Sequence, residues 1–201
     1  QNDIFNQLIN NLKPLFKSHF YLKKGNTFYV TKDNNYGLVA FQKSQKSTRF
    51  EIIFTINIGI YSQVIANFFN PACAKSKPTI ADCHWIQRID NILELPYDKW
   101  WLIDENSSIS ELTHEFYNYL EQIFMEVDKY IKDRDLESLW LSKKSPGITE
   151  FNRLRNLSVL LKHSGDIALL KNILNELNKL VEGTACSYLA RQHIQELSRE
   201  L

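Results

Sequence analysis

The chain has 201 residues, of which 44% are hydrophobic, 23% charged and 12% aromatic, and its formal net charge is +1. A chain of this size folded as one unit buries roughly 70% of the surface its unfolded form exposes, so a core forms without metals or disulfides, and disorder or a disulfide scaffold is excluded. The longest nearly apolar stretch, residues 52–61, carries Thr55 and Asn57 and falls well short of the roughly 20 residues that cross a bilayer.

Asp3 is placed to cap an opening helix in which Ile4, Phe5, Leu8, Ile9, Leu12, Leu15 and Phe16 recur at three- and four-residue spacing. Pro14 predicts a kink or break, and Gly25-Asn26 a turn. A short strand over 27–30, a hairpin loop at Lys32-Asp33-Asn34-Asn35 and a strand over 36–43 follow. In the next strand Phe50, Ile52, Phe54, Ile56, Ile58 and Ile60 occupy every second position. This predicts one buried face and one partly polar face carrying Glu51, Thr55, Asn57 and Tyr61.

Residues 62–82, with Pro71 and Pro78, lack periodicity and read as a long loop with one helical turn. Residues 83–89 and 100–103 read as two further strands around the turn-forming Leu95-Pro96-Tyr97-Asp98. From Ser108 the period changes: Ser108-Ile109-Ser110-Glu111 matches a capping box, and Leu112, Phe116, Leu120, Ile123, Val127 and Ile131 continue an apolar stripe behind it. A shorter helix over 136–141 precedes Lys143-Lys144-Ser145-Pro146-Gly147, a polar, proline-broken linker. Three helices follow, with Thr149, Asp166 and Thr184 as caps and glycines at 165 and 183 as stops.

The expected fold class is α+β, with an N-terminal helix, an antiparallel sheet of about five strands covered by helices, and a C-terminal helical segment. The expected division is a domain over 1–142, a linker over 143–148 and a helical segment over 149–201.

The small net charge hides an uneven distribution. Residues 1–80 sum to +7, residues 81–140 to −9 and residues 141–201 to +3. Blocks of this kind set up local potentials that steer a charged partner, unless they pack together and neutralise each other.

Cys73, Cys83 and His84 carry the ligand types zinc prefers, but a structural site needs four ligands, usually paired two to four residues apart, and these cysteines are ten apart. No metal or other cofactor is expected. Cys83 and His84, adjacent on a strand, point to opposite faces and make a poor nucleophile–base pair. No phosphate-binding glycine loop and no serine elbow is present, so the chain reads as a non-enzyme. The alternative enzyme reading centres on His84 and Arg88. A nucleic-acid module would use Lys23, Lys24, Lys43 and Arg49, and the pI of 7.9 argues against it.

The acidic block offers a docking surface for a basic protein, with Asp98, Trp101, Asp104, Glu105, Glu111 and Glu115 as the contacts. Of Trp100 and Trp101, consecutive on a strand, one packs inward and the other faces out. Three cysteines form an odd set that fits reduced thiols, which points to the cytoplasm. Gln1-Asn2-Asp3 shows no export signal, and whether a leader precedes Gln1 stays open.

Several segments in order resemble a bacterial family called domain of unknown function 4304. They are Leu12-Lys13-Pro14-Leu15-Phe16, Lys23-Lys24-Gly25-Asn26-Thr27-Phe28-Tyr29, Phe41-Gln42-Lys43-Ser44, Thr55-Ile56-Asn57-Ile58-Gly59-Ile60-Tyr61, Cys83-His84-Trp85-Ile86-Gln87-Arg88-Ile89 and Asp98-Lys99-Trp100-Trp101, within about residues 4–142. Phe20-Tyr21 departs from the Gly-Phe pair expected there. The resemblance implies no established activity and no catalytic residues. It implies a small accessory protein of the sort found near bacterial toxins, hence an immunity role in which the acidic surface occludes a basic toxin.

Overall fold

The computed structural model describes residues 3–71 and 77–199. Its backbone forms two compact units, Gln1–Tyr61 with Ser76–Ile131 and Ser62–Lys75 with Lys132–Leu201. The polar stretch 143–148 lies inside the second unit.

The first unit opens with helix α1 (Asp3–Phe16), where Pro14 sits in the last turn and the helix stops two residues later. A sheet of six strands follows: β1 (Leu22–Lys24), β2 (Thr27–Lys32), β3 (Asn35–Lys43), β4 (Ile52–Tyr61), β5 (Trp85–Arg88) and β6 (Trp101–Ile103). All neighbours are antiparallel, in the order β1-β2-β3-β4-β5, with β6 also paired to β4. The β2–β3 hairpin turns on two residues, Asp33 and Asn34, both at positive φ (52° and 67°), the backbone that matches the twist of the flanking strands. Asn35 is buried beside this turn and its Nδ2 donates to the Ile131 carbonyl at 2.9 Å.

Helix α4 (Ile109–Tyr130) starts where the Ser108 hydroxyl accepts from the Glu111 amide at 3.2 Å, and it buries Phe116, Leu120, Ile123 and Val127. Its seat on the sheet is tight: a Cβ on Gly37 of β3 would run into Val127 Cγ1 and come within 2.9 Å of Val30 Cγ1. Aromatic rings fill the space between. Phe54 stacks on Trp101 (5.5 Å between centroids), Trp101 packs on Phe116 (4.9 Å) and Phe16 stacks on Phe28 (4.4 Å). Pairs of this kind add roughly 0.5–1.5 kcal/mol each beyond the area they bury.

Strand β4 departs from the expected half-polar pattern. Phe54, Ile56, Ile58 and Ile60 are buried as its period predicts, but Thr55, Asn57, Gly59 and Tyr61 are buried as well. The polar members are satisfied: Thr55 Oγ1 donates to the Lys99 carbonyl at 2.9 Å and Asn57 Nδ2 to Gln42 Oε1 at 2.5 Å. A short 3-10 turn, Ile80–Asp82, lies over Gly59, where an added Cβ would meet Cys83 Sγ and Ile80 Cδ1 at 2.7 Å. Phe50, expected at the head of the buried stripe, precedes the strand and is 64% exposed. The fifth strand is shorter than its sequence predicts because Ile89 starts a helical turn, α3 (Ile89–Ile92).

The second unit is helical. Where the sequence reads as a long loop with one helical turn, residues 63–69 form α2 (Gln63–Phe69), with the Ser62 hydroxyl accepting from the Ile65 amide. Helices α5 (Asp133–Leu141), α6 (Glu150–Ser164), α7 (Ile167–Leu180) and α8 (Ser187–Ser198) complete it. Thr149 and Asp166 cap α6 and α7 as expected, and Gly165 ends α6 in the left-handed region. Thr184 caps nothing: α8 begins after Cys186, and the Thr184 hydroxyl accepts only from the Cys186 amide at 3.3 Å. Arg153 holds the unit's helices. Its guanidinium is 2% exposed and donates to both Glu150 oxygens (2.7 and 2.5 Å) and to the Trp140 carbonyl.

Candidate functional site

Strand β6 positions the acidic region. Its register on β4 is Phe54↔Trp101, Ile53↔Leu102 and Ile52↔Ile103. Side chains alternate across a strand, so Trp101 (5% exposed) and Ile103 (1%) enter the core, while Trp100 (40%) and Leu102 (49%) face outward. Trp101, expected among the partner contacts, is therefore a core residue. Its exposed neighbours are Trp100, Leu102 and Tyr97, the last 61% exposed.

Glu115, a second expected contact, accepts three donors on one oxygen: the Trp101 indole N–H, the Tyr119 hydroxyl and the Lys99 ammonium, each at 3.1 Å. Lys99 also lies over the Trp101 ring at 5.0 Å. Burial, with the Glu115 charge behind it, pushes the Tyr119 hydroxyl above its ordinary pKa, so it stays a donor at neutral pH. The role of Glu115 is thus to anchor α4 to the strand, and Lys99 already offsets its charge.

The other four expected residues are placed at the surface. Asp98 is 73% exposed by its side chain and reaches Arg88 Nη1 at 3.4 Å. The same guanidinium bonds Asp90 at 3.1 Å and lies 5.0 Å over the Trp100 ring, which fixes that indole on the outer face. Asp104 begins the loop after β6. Its Oδ1 accepts from the Ser107 hydroxyl (2.9 Å) and the Asn106 amide (3.0 Å), and the Ser107 hydroxyl accepts from the Asp104 amide (2.9 Å). The Ser107 bond first, and the Asn106 bond after it, hold this carboxyl below its usual range, so it is ionised throughout the neutral region. Glu105 and Glu111 are exposed, and among the described residues neither they nor Asp104 form an ion pair.

Within the acidic block Arg88 serves Asp90 and Asp98 and Lys99 serves Glu115, whereas His19, from the N-terminal block, lies 3.2 Å from Asp128. Cations of the basic block lie on rings: Lys23 over Phe28, Lys43 over Phe5 and Arg49 over Phe50, at 6.0, 4.5 and 4.4 Å.

Cys83 and His84 do not form an activated pair. The Cys83 thiol contacts the Thr79 carbonyl at 3.6 Å, and burial, aided by Asp82, pushes its pKa far up, so it stays protonated. Burial lowers the His84 pKa to about 4 against the opposing pull of Asp82, and its ring packs on Tyr61 at 5.3 Å. A protonated thiol beside a neutral imidazole is not a thiolate–imidazolium couple. Cys73 lies outside the described residues. Among the described residues no group of three His, Cys, Asp or Glu is arranged to hold a metal ion, and no helix is long and apolar enough to cross a membrane.

The family model described as Domain of unknown function (DUF4304) matches residues 12–130, which begins in α1 and ends at the last residue of α4. No curated protein and no solved structure matches the chain.

Proposed function

We propose that this chain, which belongs to the Domain of unknown function (DUF4304) family, is a non-catalytic bacterial immunity protein that occludes a basic toxin in the cytoplasm. The observation that supports this reading is the pairing of exposed rings with uncompensated carboxylates along one short strand. Leu102 faces outward on β6, Tyr97, the Arg88-paired Asp98 and Trp100 lie before it, and the unpaired Asp104 and Glu105 follow it. Carboxylates accelerate encounter with a cationic partner, while exposed aromatic and aliphatic side chains supply the contact that slows its departure. The contact set becomes Asp98, Trp100, Leu102, Asp104, Glu105 and Glu111, with Trp101 and Glu115 supporting it from beneath.

The mechanism is blockade without turnover. A toxin whose active surface is basic is drawn to the acidic face, and Trp100 and Leu102 are desolvated beneath it. The test is co-expression with the toxin-like polypeptide encoded beside the gene. Cells carrying the unaltered chain are expected to survive, and survival is expected to fall when Asp104, Glu105 and Glu111 are all changed to Lys. Protection that persists in the triple variant rejects the surface, and failure to protect against any linked toxin rejects the role.

A further inference from the structure

The two outer edges of the sheet differ in charge. On one side the sheet ends in β1, which is Leu22-Lys23-Lys24; on the other, β5 and β6 both lie along β4, and β6 pairs with no further strand. Lysine on an edge strand repels an incoming basic segment, so β1 is guarded against the partner that β6 invites. Beside β6 stand Asp104 and Glu105, which form no ion pair among the described residues.

The backbone of β6 is open at one position. In an antiparallel pair, opposed residues either exchange both backbone hydrogen bonds or exchange none. Leu102 is opposite Ile53 of β4, and Ile53 uses both its groups on the side away from β6. Its carbonyl accepts from the Ser44 amide at 2.7 Å, and its N–H donates to the Ser47 hydroxyl at 3.0 Å. The N–H and C=O of Leu102 therefore point away from β4, and among the described residues neither is hydrogen-bonded. Its side chain is exposed as well, so one residue offers an unpaired donor, an unpaired acceptor and an apolar contact.

We propose, building on the immunity reading for the charge of the partner, that this edge takes an extended basic segment of the partner protein as an added strand. One residue of the incoming segment exchanges two backbone bonds with Leu102, and its side chain lies beside that of Leu102 on the outer face. In the antiparallel sense, the residue two positions before it reaches the Asp104 end of β6, where lysine or arginine meets the carboxylates. The residue two positions after it lies toward Trp100. An acidic segment is repelled here. A second copy of this chain is disfavoured, because joining two β6 edges brings Asp104 and Glu105 of both copies to one interface.

The experiment titrates the full chain with the end-blocked peptide Lys-Thr-Val-Thr-Val, the same peptide N-methylated at both valines, and the same peptide with glutamate for lysine. Backbone amide shifts and hydrogen exchange are read. The first peptide is expected to saturate, to shift Leu102 and Asp104 but not Lys23 or Lys24, and to slow exchange of the Leu102 amide at least about tenfold. N-methylation keeps the side chains and the charge but removes the donors, and should weaken binding at least about tenfold, as should the change to glutamate. Leu102→Pro removes the outward N–H and no bond to β4, and should weaken the first peptide by a similar factor. No saturation up to the solubility limit of the first peptide overturns the proposal. Equal binding of the N-methylated peptide also overturns it, since side chains and charge alone would then account for the contact. Protection of Leu102 that grows with protein concentration before any peptide is added overturns it too, by giving the edge to a second copy. The toxin takes no part in these measurements, so the strand addition can fail while co-expression still protects, and the reverse.

Discussion

In the sheet unit the ion pairs are short-range and partly wet, joining Arg88 to Asp90 and Asp98 and Lys99 to Glu115; in the helical unit Arg153 is 2% exposed and binds Glu150 and the Trp140 carbonyl, with Glu176 at 3.9 Å. Lys143 then reaches Glu176 at 2.6 Å, so Glu150 and Glu176 are drawn into holding the helices of this unit. The sheet unit is held by stacked rings, and its remaining carboxylates are left at the surface. Charge placed where packing already suffices is free to act on a partner.

Breaking the two kinds of pair should separate them most sharply. Arg153→Ala leaves a buried carbonyl and a fixed carboxylate without their donor, and should destabilise the helical unit by about 3–5 kcal/mol, read from its denaturant midpoint. Asp98→Ala, which removes only the exposed partner of Arg88, should cost about 1 kcal/mol or less in the same measurement. Equal losses would dissolve the contrast.

Acid should act on both units. His84 in the first and His193 in the second are kept neutral by burial, each with a folded pKa of about 4; in the second case Arg155 adds to the effect, and His193 shares a 2.7 Å hydrogen bond with Ser158. Their unfolded-state pKa is near 6.5, so between those values the unfolded chain binds more protons. Stability is then full above about pH 6.5, declines as pH falls toward about 4 and levels off below, by up to about 3 kcal/mol for each histidine. Equilibrium unfolding across that range should show a reduced slope in His193→Gln. An unchanged slope would place the proton uptake elsewhere.

Smaller effects test the seats and caps. Gly37→Ala drives a methyl group into Val127 and Val30 and should cost about 2 kcal/mol, measured by thermal unfolding. Ser108→Ala removes the α4 cap and should cost about 1 kcal/mol. Thr184→Ala should cost about 0.5 kcal/mol or less, since its hydroxyl serves only the loop before α8.

What could be read from the chain was what local physics decides. The period of two in β4, the serine cap of α4, the Asp166 cap and the Gly165 stop each follow from a few neighbouring residues, and the structure carries all of them. The second buried face of β4 was illegible because its cover, the 3-10 turn at Ile80–Asp82 and the segment after it, has no period of its own. Helix α2 is short and its apolar residues are nearly consecutive, so neither helical nor strand spacing stands out. At the surface, the alternation of Trp100 and Trp101 was legible, but which of them turns inward depends on the pairing of Trp101 with Phe54. Glu115 looked like one more surface charge, because its donors at Lys99 and Trp101 lie 16 and 14 positions away in sequence.

On the proposed reading, carboxylates left unpaired on the sheet unit govern encounter with a basic partner. The most direct measurement is the association rate of the purified chain with the linked toxin across a salt series, for the unaltered protein and for the variant carrying Asp104→Lys, Glu105→Lys and Glu111→Lys. The rate is expected to fall steeply with salt in the unaltered chain and to drop at least about tenfold in the variant, whose salt dependence flattens. Equal rates for the two proteins, with the same response to salt, would contradict it.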